Sequence, residues 1–149
     1  MSSLVEFLKE RKYLREESAK RRQELLEEWT EALSKLFDKI EKWLEPAKRE
    51  GLDLKRCEVE ISEEPLGTYR APALEIRFAD MTVRLEPIAR MVLGAYGRID
   101  MYSPLGIHKL VRLNMEGNKW YLILSEPDEK RPFTKEALED FLKEAFSVP

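Results

Sequence analysis

Nucleophilic catalysis in this chain would have to run through His108, its only histidine, or Cys57, its only cysteine. A histidine works as a general base when a nucleophile and an orienting acid stand beside it. His108 opens the apolar stretch HKLVRL, whose sequence offers neither companion, so it reads as a half-buried residue at a strand end. One thiol and one imidazole are too few for a zinc site within one chain. No GxSxG elbow, P-loop or dinucleotide fingerprint occurs. Glu58 and Glu60 share one face of a strand, in the manner of a glycosidase acid pair. Arg77 and Arg84 on neighbouring strands offer both of them cross-strand partners, which makes a solvated charge ladder the better reading. No catalytic residue, cofactor site or metal site is therefore expected.

Two further stretches could bind rather than react. GAYG, residues 94–97, has the spacing of a GxxG nucleic-acid loop but lacks flanking helices and basic central residues. It reads as a turn entering the RIDMY strand. The surrounding EPIARMVLGAYG is apolar for a connection and is expected to pack on a helix or a subunit. A small-molecule or enzymatic pocket near residues 87–97 is the third functional reading. The stronger feature is the basic cluster Lys9, Arg11, Lys12, Arg15, Lys20, Arg21 and Arg22. Residues 9–22 hold seven basic and three acidic side chains, residues 24–45 three basic and seven acidic. Positive charge near a helix start and negative charge near its end both oppose the macrodipole. A partner could offset that cost: phosphate, an acidic protein, or the acidic half of a second copy's helix. Beside the basic residues lie Leu4, Phe7, Leu8 and Leu14, apolar groups out of place on a lone solvated helix. The candidate partner-binding set is Leu4, Phe7, Leu8, Arg11, Leu14, Arg15, Arg21 and Arg22.

Those residues need a helix to hold them. No glycine or proline interrupts residues 3–45, and Pro46 and Gly51 supply a stop, so 3–48 reads as helical, as one helix or two. Ser3 and Glu6 have capping-box spacing. Glu16/Lys20, Glu17/Arg21, Glu31/Lys35 and Asp38/Lys42 are acid-first pairs four residues apart. Leu26, Trp29, Leu33, Leu36, Ile40, Trp43 and Ala47 recur at three and four residues. Leu25, Ala32, Phe37 and Leu44 widen the stripe beyond a coiled-coil seam, and indoles fit such a seam poorly. The stripe would run about 33 Å, enough to cross a six-stranded sheet of roughly 29 Å. Trp29 and Trp43 are expected to be buried against that sheet. The whole helix would be about 69 Å long, well beyond a compact chain of this size at roughly 40 Å. Its first part must protrude, fold back or meet another subunit.

From Cys57 the apolar period becomes two. CEVEI turns Cys57, Val59 and Ile61 inward. LEIRF and MTVRL turn Leu74, Ile76, Phe78, Met81, Val83 and Leu85 inward, with a hairpin at Ala79 and Asp80. RIDMY, KLVRLN and KWYLILS complete about six strands, EGNK offers a Gly-Asn turn, and the last two strands are apolar on both faces. A final helix follows Thr134 as N-cap, with a Phe133–Leu138 staple and Ala137, Leu138, Phe141, Leu142 and Phe146 on its apolar face.

The expected architecture is α+β: a long N-terminal helix packed on a mainly antiparallel sheet of about six strands, plus a C-terminal helix. Residues 1–149 form one domain, with 1–22 protruding or contacting a partner, 23–50 docked, 57–125 the sheet and 134–146 the last helix. At 43% hydrophobic and 37% charged, with net charge −3, the 149 residues suit a soluble domain rather than a general nucleic-acid binder. A single cysteine and no signal-peptide order point to the cytoplasm, and no run is apolar enough for a membrane. Abundant Glu, Lys and Arg beside few amides suggest a heat-tolerant source. The leading functional expectation is a non-catalytic protein–protein interaction or scaffold module, self-associating as a dimer through its N-terminal helix. The alternative is a nucleic-acid accessory protein using residues 9–22.

Overall fold

A computed structural model of the chain describes residues 3–124 and 129–149. Helix α1 runs unbroken from Ser3 to Leu44, so the long N-terminal segment is one helix. Its interior is rich in Leu, Glu, Lys and Arg, which lose little entropy in a helix. Pro46 has no N–H to continue the ladder, and its ring would clash one turn back. The chain tightens into a 3-10 turn, Glu45–Glu50, closed by Gly51 at φ 96°. Ser3 is itself helical rather than the residue before the helix, so the capping-box assignment does not hold.

Seven strands follow as a meander, each antiparallel to the next: β1 (Asp53–Glu63), β2 (Gly67–Phe78), β3 (Met81–Ala89), β4 (Arg98–Ser103), β5 (Gly106–Asn114), β6 (Lys119–Ile123) and β7 (Lys130–Pro132). Helix α2, Lys135–Ala145, closes the chain, and the fold is α+β as expected. The β2–β3 hairpin turns at Ala79 and Asp80, with Ala79 at φ 55°. Gly117 and Asn118, at φ 76° and 48°, make the β5–β6 turn. Thr134 caps α2, its hydroxyl accepting from the Ala137 N–H at 3.2 Å. The short strand β7 was not anticipated. The expected end of the sheet at Ser125 lies outside the described residues.

One face of the sheet carries the core. Leu74, Ile76, Val83, Leu85, Ile99, Met101 and Leu110 lie on it fully buried, under Trp29, Leu33, Phe37 and Ile40 of α1 and Leu138 of α2. The opposite face carries a ladder of charge: Glu75 bonds Arg77 and Arg84, Arg84 bonds Glu86, and Arg98 bonds Asp100. Cross-strand register corrects the first strand. Leu54 pairs with Ile76 and Arg56 with Leu74, whereas Cys57 pairs with Ala73. Cys57 therefore belongs to the charged face and is only half-buried, and of Cys57, Val59 and Ile61 only Ile61 is buried. Phe78 also departs from expectation at 38% exposed, because β2 and β3 end beside it.

Candidate functional site

The docked half of α1 begins at Trp29, the first fully buried residue of the helix. Gly97 lies under its ring: a Cβ there would sit 2.2 Å from Cζ3, and the backbone at φ 138° favours glycine anyway. The Trp29 indole N–H donates to Tyr69 at 3.2 Å, and the Tyr69 hydroxyl donates in turn to Glu63. Burial and that carboxylate both push the Tyr69 phenol upward from its ordinary pKa. Glu63 also accepts the N–H groups of Arg90 and Met91 at 2.8 and 2.9 Å, fixing the start of the 90–97 loop. One residue earlier on the helix, Glu28 takes a two-pronged hydrogen bond from Arg112, which is 1% exposed. Asn118 donates to the Ala32 carbonyl at 2.9 Å. These contacts clamp the helix where it meets the sheet.

The sequence reading missed Glu28 and Arg112. Arg112 alternates with Leu110 and His108 on β5, which places it on the core face, and that parity was the available signal. Arg90 is buried too, against the Tyr96 ring and Met115 Sδ, and burial lowers its pKa. The 90–97 connection is not covered as expected: Met91, Leu93 and Tyr96 remain exposed while Arg90 turns inward. A groove of about 440 Å³ runs between Glu28, Lys35, Arg112 and Asn118, and no residue of 87–97 lines it.

On the N-terminal side of the clamp, α1 carries no buried residue among the described ones. At about 100° per residue, Leu4, Phe7, Leu8, Arg11, Leu14, Arg15 and Arg22 fall on the azimuth of Trp29, Leu33, Leu36 and Ile40, with Arg21 at the margin. All eight are exposed, Leu4 at 62% and Phe7 at 51%. The helix thus brings the whole candidate set onto one face. Pro65, at the β1–β2 turn, helps line a groove of about 620 Å³ with Arg11, Arg15, Arg21 and Arg22. Arg11 stacks over Phe7 at 5.3 Å. Among the described residues none of these four arginines closes an ion pair. Of the expected intrahelical pairs only Glu31–Lys35 forms, at 3.2 Å, while Asp38 turns to Arg56 on β1. Arm charges are therefore less satisfied internally than the spacing promised, because long exposed side chains pay entropy to pair.

The remaining candidates for chemistry are dispersed. His108 is half-buried with its ring edge-on to Phe141 at 5.1 Å, and its Nδ1 has no partner. Glu58 pairs with Arg70 rather than with Arg77 or Arg84, which serve Glu75. No group of three His, Cys, Asp or Glu side chains converges as a metal site among the described residues. Nor, among them, is any helix long and apolar enough to cross a membrane. In comparisons of sequence and of fold, no protein family, curated protein or solved structure matches the chain.

Proposed function

We propose that this protein is a non-catalytic interaction module that self-associates through its N-terminal helix, with a second copy as partner. The observation that carries the reading is one exposed helix face combining Leu4, Phe7, Leu8 and Leu14 with four arginines that close no ion pair among the described residues. Arginine and aromatic side chains over an apolar centre are what protein interfaces favour. Residues 24–45 hold seven acidic side chains against three basic, and of the seven Glu24 and Glu27 close no ion pair among the described residues. A single cysteine supports a reducing, cytoplasmic setting, and the Glu-, Lys- and Arg-rich composition supports a heat-tolerant protein.

Light scattering at tens of micromolar tests this. The full chain is expected to be a dimer, and removal of residues 1–22 to leave a folded monomer. A full-length monomer, or an unchanged dimer after truncation, refutes it. The second reading, nucleic-acid binding, draws on the same four unpaired arginines. Its mark is an affinity for a mixed-sequence duplex that falls steeply with salt, and the apolar tip argues against it.

A further inference from the structure

We infer that the arm of each copy ends in an apolar groove of the other, between the far end of α1, the β2–β3 turn and α2. This rests on the self-association proposed above and names the receiving site. The groove has a volume of about 510 Å³ and is walled by Trp43, Ala47, Leu52, Phe78, Leu142 and Phe146. Phe78 and Phe146 meet at 5.7 Å, and Phe78 remains 38% exposed, which is unusual for a phenylalanine beside a core. Three aromatic side chains around an open apolar groove make a site for a hydrophobic anchor.

Length selects the anchor. Residues 3–24 of α1 extend about 33 Å from the clamp and residues 25–44 about 30 Å. Two copies related by a two-fold axis perpendicular to the helix layer, with α1 antiparallel to α1, bring each arm alongside the other's docked half. Nearly equal lengths then put Leu4 level with Glu45 and Leu8 level with Glu41, so the very end of the arm reaches the Trp43 side of the groove. The axis keeps the sheetward direction common to both copies. The tip's apolar face, in phase with Trp29 and Ile40, therefore points toward the groove.

Charge fits the same arrangement. The seven basic and three acidic residues of 9–22 run beside the three basic and seven acidic residues of 24–45. The unfavourable macrodipole placement in each helix is offset by the antiparallel neighbour, whose dipole runs the other way. The contact is isologous, so each dimer has two such sites, and each is incomplete without the partner's Leu4, Phe7 and Leu8.

The test uses the full chain with Cys57→Ser as background. Leu4→Cys combined with Ala47→Cys, treated with a short bis-maleimide, is expected to give a covalent dimer, and each single variant little. Ala47→Trp fills the groove and Phe7→Glu spoils the anchor on an arm that the fold does not need. Either is expected to weaken the dimer at least tenfold by sedimentation, with circular dichroism unchanged. A dimer weakened by Phe7→Glu, yet neither cross-linked through Ala47 nor affected by a folded Ala47→Trp, overturns the groove while leaving arm-mediated association standing. A wild-type monomer overturns both.

Discussion

Replacing Glu28 should cost more than replacing Arg112, although Arg112 is the buried member of the pair. Arg112 is 1% exposed and Glu28 35% by side chain, so the two charges stand to lose different amounts. With Glu28→Gln the guanidinium stays buried, keeps one acceptor on the new amide and the Tyr96 carbonyl, and loses its counter-charge. Arg90 then adds like-charge repulsion that Glu28 no longer offsets. Breaking a buried pair in this way costs about 3–5 kcal/mol, and the retained acceptor puts this case near about 3. With Arg112→Met the buried volume stays filled by an apolar chain, and Glu28 turns to water; such replacements of buried ion pairs run near neutral, here under about 1.5 kcal/mol. Denaturant unfolding of the two single variants and the double variant measures the cycle, with the double expected to resemble Arg112→Met alone. Acid titration provides an independent arm. The Arg112 hydrogen bond lowers the Glu28 pKa from 4.5. The stability gained is therefore complete above the unfolded value and lost as pH falls through the folded one. Arg112→Met should flatten that acid limb. Additive single variants, or Arg112→Met costing more than Glu28→Gln, would refute the reasoning.

Gly97→Ala should destabilise the protein by about 2–4 kcal/mol, combining overpacking against the Trp29 ring with an unfavourable positive φ; thermal unfolding within 1 °C of wild type would count against the close approach described. Trp29→Ala should cost about 3–5 kcal/mol and Trp43→Ala clearly less, since Trp29 is fully buried and Trp43 only half-buried beside the groove. Equal midpoint shifts in denaturant would contradict that ordering. Thr134→Ala removes the α2 cap and should cost about 1 kcal/mol, with Thr134→Ser recovering most of it in the same assay.

Much of this fold is legible in the apolar periods. Three-and-four spacing from Leu26 to Ala47 marks the docked helix, and short apolar runs, alternating in the earlier ones and two-faced in the last two, mark six of the seven strands. What escapes has physical causes. The β7 segment Lys130–Pro132 is three residues of mostly polar character, and its pairing depends on β6 rather than on any pattern of its own. The alternation of CEVEI places Cys57 in the core, but Leu54, three residues earlier, sets the register against Ile76 and reverses the face. Trp43 shares a heptad position with Trp29, yet it borders the open groove with Phe78 and Phe146, so the same spacing leaves it only partly buried. For the candidate site the arm was legible because its leucines lacked any local reason to be there. The groove was not, because Trp43, Phe78 and Phe146 come from three separated segments that meet only in the folded chain.

Why the helix should be pinned by a buried ion pair rather than by more leucine follows from its length. Apolar contacts along the docked stripe hold α1 to the sheet but leave small rotations and slides nearly free, since one methylene contact can replace another. A two-pronged guanidinium–carboxylate bond has one geometry. The indole of Trp29 over Gly97 admits no closer or further turn of the helix, and the Asn118 amide on the Ala32 carbonyl sets its height. All three restraints act within five residues of where the helix leaves its support. Past that point an arm of about 33 Å works as a lever, and a 10° tilt at the clamp would carry the tip by about 6 Å, roughly one helical turn. An arm meant only to be solvated would need no such fixing. One meant to reach a single groove on a second copy would, and the costly burial of Arg112 beside the hand-over point is the feature of the fold most readily explained by that need.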